Sequence, residues 1–365
     1  MKRVVTALAA VIVAVGLAGW AEYPSTPAAT MAYTQHAKAA KVSPPLLGVD
    51  VYSETDYSTS ATTNYGNAIL PYLHTDLKAQ VVGLMWDLCT PRARSNLVRT
   101  CRSEAKSGTG SMSAADIDDL ATMAKQDGLQ IQMRPIIRVG APSGWNNPKL
   151  SWEGNINPRN EKAWFSNLLS AELPYLKVAK SVGVEQFVVG TELDHLPYSK
   201  WWPWFLRRAQ SDCGCQISYA AQDTEYLHNS ANLPHVSALG TDFYPALNLS
   251  PSASQGRVTA GWEKSLRSVP ESRLDRTSLD EISIRATAGA YRHPATWDDG
   301  GRADPTVQVR YFTAACATAA HYHMRALFFY FVPLNDNPAD PFNFPAYFVN
   351  NAGSKAIAGC RKVLA

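Results

Sequence analysis

The chain has 365 residues, of which 46% are hydrophobic and 10% are aromatic. This is enough apolar material for a large core, so the composition excludes a disordered protein. The 34 basic and 31 acidic residues leave a net charge of +3. A nearly neutral chain gives no electrostatic reason to expect nucleic acid or an anionic membrane surface as a partner.

The first 21 residues have the pattern of a secretory signal peptide. Lys2 and Arg3 precede an apolar run over residues 4–17, and small residues occupy the −3 and −1 positions of a cut after Ala21. The alternative is an uncleaved anchor, but the apolar run is shorter than the ~20 residues that a membrane span needs. We therefore predict cleavage, no stable membrane insertion, and export of the protein, secreted or held at the cell envelope.

Residues 22–45 mix Ser, Thr, Pro and Ala and predict a flexible segment before the fold. From residue 46 the chain alternates short apolar runs with helical patterns. Several runs are rich in Val, Ile, Leu and Phe without strict alternation, as in parallel strands covered on both faces. The eight runs are Leu46–Tyr52, Gln80–Asp87, Leu129–Ile137, Val184–Thr191, Gln216–Ala221, Val236–Tyr244, Arg276–Ile282 and Arg325–Val332.

The helical patterns between the runs have recognisable ends. Ser113 and Asp116 predict a capping arrangement at the start of one helix. In the next helix Pro174 predicts a kink or a restart, and Gly183 predicts the end. Asp304 before a proline predicts another helix start.

A doubly wound open sheet is the alternative α/β architecture. Its first strand would lead into a glycine-rich phosphate loop, and residues 48–52 (Gly-Val-Asp-Val-Tyr) do not form one. The length fits a TIM barrel, which runs from about 200 to more than 400 residues. We therefore predict an α/β fold, a single-domain (β/α)8 TIM barrel over residues 46–365, and a monomer.

An even number of cysteines in an exported chain predicts disulfides, although six cysteines allow 15 pairings. The first two would close one loop, and the last two would join the final helices. The middle two, separated by one glycine, are either a tight bridge or two free thiols. No His-rich ligand spacing supports a metal site there. The six are Cys89, Cys101, Cys213, Cys215, Cys316 and Cys360.

Two glutamates stand where hydrophobic runs end, which is where TIM-barrel active sites lie. Glu192 follows the fourth run and Glu281 lies in the seventh, so only closure of a barrel would bring them together. Two facing carboxyls are what glycoside cleavage needs, since one protonates the leaving oxygen and the other attacks the anomeric carbon or activates water. The alternative for each residue is an ordinary ion pair with a nearby Lys or Arg.

These strand ends resemble those of a known family of enzymes. The stretches Gly-Thr-Glu-Leu and Asp-Glu-Ile-Ser-Ile-Arg-Ala-Thr-Ala-Gly, the second continuing to a proline, resemble the catalytic strand ends of clan A glycoside hydrolases, and of the β-mannanase-like family 113 in particular. The resemblance extends from about residue 46 to the C-terminus. The similar stretches are residues 152–156, 164–165, 190–193, 240–245 and 280–294.

The resemblance implies a role for several residues. Glu192 would be the general acid/base and Glu281 the nucleophile of a retaining reaction through a covalent glycosyl-enzyme, which needs carboxyls ~5–5.5 Å apart. Tyr244 would hydrogen-bond the ionised nucleophile and Trp152 would line the cleft. The reaction requires no cofactor and no metal, and the partner would be a carbohydrate.

Other strand-end residues are candidates for substrate binding, because sugar clefts combine flat apolar surfaces with directional polar groups. Asp87, Arg138 and Trp145 are further candidates. The alternative for each Trp is core packing, for each Asp a loop cap, and for Arg134 an ion pair inside the barrel. The predicted substrate-binding set is Asp50, Tyr52, Trp86, Arg134, Trp152, Asp242, Tyr244 and Tyr330.

The aromatic stretch over residues 201–204 has two interpretations. It is either a wall of the cleft or, as we favour, the first turn of a helix packed on the barrel. His321 and His323 lie near a helix end without acidic or cysteine neighbours, so we interpret them as surface or cap residues rather than metal ligands.

The sequence departs from the family pattern around the sugar. Thr191 stands where the clan often has Asn, Ile136 stands where a His is expected, and the eighth run offers Phe and Tyr instead of Trp. The predicted function is a secreted retaining glycoside hydrolase acting on β-linked, mannan-like or cell-envelope poly- or oligosaccharides. The departures keep open the alternative of a non-catalytic carbohydrate-binding barrel. A transglycosylase is a further alternative, because it would use the same pair of glutamates.

Overall fold

The computed structural model describes residues 44–53, 57–101, 110–140, 151–229, 233–296 and 301–365. The predicted signal peptide, nearly all of the segment 22–45, and Trp145 lie outside these residues. In the part of the chain that is described, no helix combines the length and the apolar character needed to span a membrane.

The described strands form one closed parallel barrel with a single short antiparallel addition. Neighbouring strands follow the order β1-β2-β4-β5-β6-β7-β8-β9, and β1 pairs with both β2 and β9, which closes the ring. Each predicted apolar run forms one barrel strand, so the (β/α)8 prediction is confirmed. The strands are β1 (Leu46–Ser53), β2 (Val81–Thr90), β3 (Arg99–Thr100, antiparallel to β2), β4 (Gln130–Val139), β5 (Gln186–Thr191), β6 (Gln216–Gln222), β7 (Ala238–Asp242), β8 (Thr277–Ile282) and β9 (Ala326–Pro333).

Helices surround the barrel and bury its outer face. Short 3₁₀ turns at Glu153–Asn155 and Ala290–Arg292 lie in the connections. The described helices are α1 (Thr59–Thr75), α2 (Ala114–Gln126), α3 (Glu161–Val182), α4 (Trp202–Cys213), α5 (Asp223–Asn229), α6 (Gln255–Leu266), α7 (Glu271–Leu274), α8 (Pro305–His321) and α9 (Ala352–Leu364).

The helix ends follow the predicted chemistry with one exception. Ser113 and Asp116 form a reciprocal capping box before α2, and Asp304 caps α8. Gly183 ends α3 in the left-handed conformation at φ 72°. Pro174, however, lies inside α3, which continues through it as one element instead of restarting. The buried face of α3 extends to both sides of the proline, and its packing offsets the lost backbone hydrogen bond.

The stretch over residues 201–204 begins α4, as we favoured. Trp202 is buried, and its ring centroid lies 4.9 Å from that of Phe165 on α3 and 5.5 Å from that of Tyr219 on β6. Trp201 and Trp204 are partly buried against the same core. This helix turn therefore packs on the barrel.

The cysteines pair as Cys89–Cys101, Cys213–Cys215 and Cys316–Cys360, with Cα–Cα distances of 5.0, 5.1 and 5.5 Å. The first pair closes the loop around β3, and the third joins α8 to α9. The bridge between the middle two excludes the alternative of free thiols. Three disulfides are typical of proteins that fold outside the reducing cytosol.

Alternation along the strands decides which side chains enter the barrel. Successive residues of a strand point to opposite faces. On β2, Gly83 faces the interior, where a Cβ would overlap the carboxyl of Asp50. On β7, Gly240 faces the carboxyl of Asp280 in the same way. The two glycines thus make room for acidic side chains inside the barrel.

Candidate active site

Glu192 and Glu281 meet at the carboxyl end of the barrel. Glu192 is the first residue after β5, and Glu281 is the penultimate residue of β8. Two strands, β6 and β7, separate them around the ring, so they face one another across the mouth. Their carboxyls are close enough for Glu281 to contribute to the pKa of Glu192.

The backbone presents Glu192 in an uncommon conformation. Its φ of 47° lies in the left-handed region, which costs a non-glycine residue about 1–3 kcal/mol and persists where the surroundings enforce it. Its N–H donates to the carbonyl of Ala220 on β6 over 2.9 Å, and its carbonyl accepts from the N–H of Asp194 over 2.9 Å. These two hydrogen bonds fix the turn that leads the side chain into the cleft.

The carboxyl of Glu192 is arranged to keep a proton. Burial raises its pKa well above the ordinary value, and the neighbouring carboxyls of Glu153 and Glu281 add to the shift. The indole Nε1–H of Trp152, which donates to Oε2 over 2.5 Å, and the charge of Arg134 oppose it. A carboxyl that stays protonated near neutral pH can act as a general acid.

The carboxylate of Glu281 has a donor on each oxygen. Nη2 of Arg134 lies 2.9 Å from Oε1, and Oη of Tyr244 donates to Oε2 over 2.5 Å. Hydrogen bonds to a carboxylate are short and directional, so these two donors fix the orientation of the Glu281 side chain. The two glutamates therefore occupy contrasting environments, which suits one to donate a proton and the other to attack.

Arg134 on β4 joins four strands beneath the cleft. Its Nε donates to Oγ1 of Thr191 and its Nη1 to the carbonyl of Asp280, both over 3.1 Å. Its Nη2 pairs with Oδ2 of Asp242 at 2.5 Å as well as with Glu281. Arg134 is completely buried. The structure thus places Arg134, which we predicted to bind substrate, beneath the cleft and in contact with the carboxylate of Glu281.

Asp50 and Asp242 are also closed off from the cleft. They are 0% and 1% exposed, so they form part of the barrel interior and not of the predicted sugar-binding surface. Neither oxygen of Asp50 has a hydrogen-bond partner among the described residues. Burial raises the pKa of Asp50 well above its ordinary value, with Arg134 opposing the shift. Burial therefore favours the neutral form of Asp50 inside the barrel.

Tyr52, Asp87 and Arg138 form a hydrogen-bonded set at the mouth. Oη of Tyr52 donates to Oδ1 of Asp87 over 2.7 Å, and Nη2 of Arg138 donates to the same Oη over 2.7 Å. Arg138 also lies 3.2 Å from Asp87 and stays partly exposed. Tyr330, on β9, is partly exposed too, with its ring centroid 6.4 Å from that of Tyr52. Arg138 and Tyr330 thus reach the cleft, while Tyr52 and Asp87 support them.

Trp86 lies away from the site. It is fully buried, and its ring stacks on Tyr175 of α3 with a centroid distance of 4.5 Å. The period-two alternation of β2 turns Trp86 outward, whereas its neighbours Met85 and Asp87 turn inward. The structure therefore places Trp86, which we predicted to bind substrate, on the outer face of the barrel, because a strand-end location does not by itself decide the face.

Glu153 is a site residue that the sequence analysis missed. It lies on the 3₁₀ turn next to Trp152 and is 6% exposed. Burial raises its pKa to about 7, with Arg138 opposing the shift and Glu281 adding to it. Gly154 lets the indole lie against this turn, since a Cβ there would overlap the Trp152 ring. Only its place beside a predicted cleft Trp signalled Glu153, because the residue follows no strand.

Among the described residues, no group of three or more His, Cys, Asp or Glu side chains could hold a metal ion. The site's polar groups are instead engaged with one another around the two glutamates.

Comparison with known proteins gives a family and a fold. The model of Glycoside Hydrolase Family 113 matches residues 89–331. A GH113 β-1,4-mannanase structure is similar with a TM-score of 0.71 and 15% identity, covering 87% of this chain and 98% of that one. A complex of a GH113 β-1,4-mannanase is similar with a TM-score of 0.70 and 14% identity, covering 87% of this chain and 99% of that one. The GH113 β-mannanase of Alicyclobacillus acidocaldarius is similar with a TM-score of 0.65 and 15% identity, covering 88% of this chain and 98% of that one. A search of curated proteins finds no match.

Proposed function

Because the chain belongs to glycoside hydrolase family 113 and is therefore a glycoside hydrolase, we propose that it cleaves β-linked glycans with retention of anomeric configuration. In this proposal Glu192 is the general acid/base and Glu281 is the nucleophile. The observation that carries the assignment is the contrast between the two carboxyls. Glu281 receives Arg134 and Tyr244, one on each oxygen, whereas Glu192 lies beside other acids, and desolvation together with those acids raises its pKa.

The reaction would proceed in two displacements. An oxygen of Glu281 attacks the anomeric carbon, the glycosidic C–O bond breaks, and the proton of Glu192 passes to the leaving oxygen. Glu192, now ionised, then takes a proton from water as the water oxygen attacks the same carbon and releases Glu281. Tyr244 and Arg134 orient the nucleophile before attack and stabilise its returning negative charge afterwards.

The family and the side chains at the mouth of the barrel support the choice of substrate class. The similar structures are described as β-1,4-mannanases, so β-mannan is the first candidate, and other β-linked or cell-envelope glycans come next. Partly exposed Trp152 and Tyr330 offer flat surfaces to sugar rings, and Arg138 offers donors to hydroxyls. The leader-like N-terminus and the three disulfides support secretion of the enzyme.

Product analysis on a panel of β-linked glycans tests the proposal. Wild type should release oligosaccharides, and Glu281→Gln should release none. The matched control is Glu271→Gln, which changes an exposed glutamate of α7 at the other end of the barrel and should keep full activity. Proton NMR of the first products should show the β-anomer before mutarotation.

Turnover that survives Glu281→Gln would refute the assignment of the nucleophile. First products in the α configuration would refute retention. Products longer than the substrate would indicate transfer to sugar instead of water by the same pair.

A further inference from the structure

An aromatic surface leads from the barrel mouth to the outside of the protein. It is built on the connection between β9 and α9, residues 334–351, which is long for a loop of this kind. We name it the aromatic ridge and define it as Phe331, Tyr347, Phe344 and Phe342.

The rings of the ridge form a continuous series. Starting at the mouth, the centroid of Phe331 lies 5.2 Å from that of Tyr52 and 4.7 Å from that of Tyr330. Tyr347 follows at 5.6 Å from Phe331. Phe344 and Phe342 then lie 4.9 and 6.4 Å from Tyr347. The first and last rings are thus joined by contacts between neighbours, and the inner end is continuous with the active site.

The rings of the ridge are all at least partly exposed, and Phe342 is the most exposed of them. Phe331, Tyr347 and Phe344 are partly exposed, and Phe342 is 45% exposed, one of the most exposed large apolar side chains in the described part of the chain. Contiguous exposed apolar surface costs solubility and is retained mainly where a ligand covers it. The rings follow one another from the cleft outward, and this arrangement fits a chain-like ligand better than a globular partner.

The loop that carries the ridge is held in place before any ligand binds. Asp336 is 1% exposed, and its Oδ1 accepts the backbone N–H groups of Asn337 at 2.8 Å and Phe342 at 2.9 Å. The N–H of Leu334 donates to the carbonyl of Tyr52 over 3.0 Å. A loop fixed by such bonds loses little entropy when its rings bind a ligand.

The ridge lies on one defined side of the reaction centre. In the barrel order β9 is diametrically opposite β5, the strand that carries Glu192. The leaving group takes its proton from Glu192, so the leaving sugars lie toward β5. The sugars that remain attached to the anomeric carbon extend the other way, toward β9 and the ridge.

We propose that the aromatic ridge binds the glycone part of a polysaccharide, stacking sugar units that lie beyond the one attached to Glu281. The proposal rests on the proposed function. The C–H face of a pyranose ring is a flat apolar surface that matches an aromatic face. A row of such faces selects long chains over short ones, because each added sugar contributes another contact.

The test separates binding from catalysis by working in the Glu281→Gln background, where the bound polymer is not turned over. Binding of soluble β-1,4-mannan and of mannobiose is compared for this parent, for the parent carrying Phe342→Ala with Phe344→Ala, and for the parent carrying Phe342→Trp. Tyr322→Ala, a partly exposed aromatic at the opposite end of the barrel, is the matched control. Circular dichroism and thermal unfolding verify that each variant is folded.

The double alanine variant should bind the polymer more weakly by about tenfold per ring, which corresponds to ~1.4 kcal/mol each. Its affinity for mannobiose should stay unchanged, and Phe342→Trp and Tyr322→Ala should bind the polymer as the parent does. If the parent and the double alanine variant bound the polymer equally well, or if the parent did not bind it, the proposal that the ridge binds polysaccharide would be refuted. Polymer binding that depends on the ridge, together with wild type that releases no product, would instead refute the proposed hydrolysis and leave the ridge supported.

Discussion

The hydrogen bond from Trp152 to Glu192 predicts a directional change in the pH dependence of activity. The indole Nε1–H donates to Oε2 over 2.5 Å and lowers the pKa of Glu192, against the raising effects of burial and of Glu153. Trp152→Phe keeps an aromatic ring but removes the donor. The pKa of Glu192 should therefore rise further, and the residue should keep its proton to higher pH.

The size of the shift follows from the strength of the lost bond. A hydrogen bond to a charged group contributes about 1.5–3 kcal/mol, and one pKa unit corresponds to ~1.4 kcal/mol. The whole bond would give roughly one to two units. The indole also donates to the protonated carboxyl, although more weakly, so the net rise in the pKa of Glu192 should be about one unit. Because the general acid must be protonated, the alkaline limb of the kcat/KM profile should move up by that amount.

Measuring kcat/KM against pH for wild type and Trp152→Phe tests this reasoning. Glu153→Gln provides the opposite perturbation, since it removes a carboxyl that raises the pKa of Glu192, and its alkaline limb should move to lower pH. An alkaline limb that stays in place or moves down in Trp152→Phe would refute the role of the indole. If the alkaline limb moved in the same direction in both variants, Glu192 would not be the group that controls this limb.

Three further changes are predicted. Tyr244→Phe removes the 2.5 Å hydrogen bond to Glu281 and should lower kcat/KM by roughly 10- to 150-fold in steady-state assays, with thermal stability retained; an unchanged kcat/KM would contradict this. Replacing Cys316 and Cys360 together by Ser opens a bridge across a sequence separation of 44 and should cost about 4 kcal/mol of unfolding free energy in urea titrations, whereas an unchanged midpoint would argue against it. Glu172 is fully buried without a hydrogen-bond partner among the described residues, and burial raises its pKa. The unfolded state ionises first, so wild type loses stability as pH rises above the ordinary carboxyl range. Glu172→Met should therefore be the more stable protein near about pH 8, by ~1.4 kcal/mol per unit of pKa shift, with the gap narrowing toward about pH 4; a gap independent of pH would refute the buried-proton explanation.

The sequence by itself determined the strands and helices and the position of the two glutamates at strand ends. Apolar runs, capping residues such as Ser113 and a left-handed Gly183 act within a few residues, so their effect can be predicted from local pattern. The same holds for Glu192 and Glu281 as strand-end carboxyls, because active sites of this barrel lie at strand ends. These predictions need no knowledge of distant contacts.

Only the tertiary structure decided which side chains face the cleft and what they touch. The strand alternation turns Trp86 toward α3 and places Arg134 under Glu281, and the register that fixes this parity is set by pairing with neighbouring strands. Glu153 reaches the site from an irregular turn, where no periodicity predicts a direction. The pairing of Cys213 with Cys215 likewise depends on their positions in space. Barrel closure joins residues far apart in sequence, so the contrasting surroundings of Glu192 and Glu281 arise only in the folded chain.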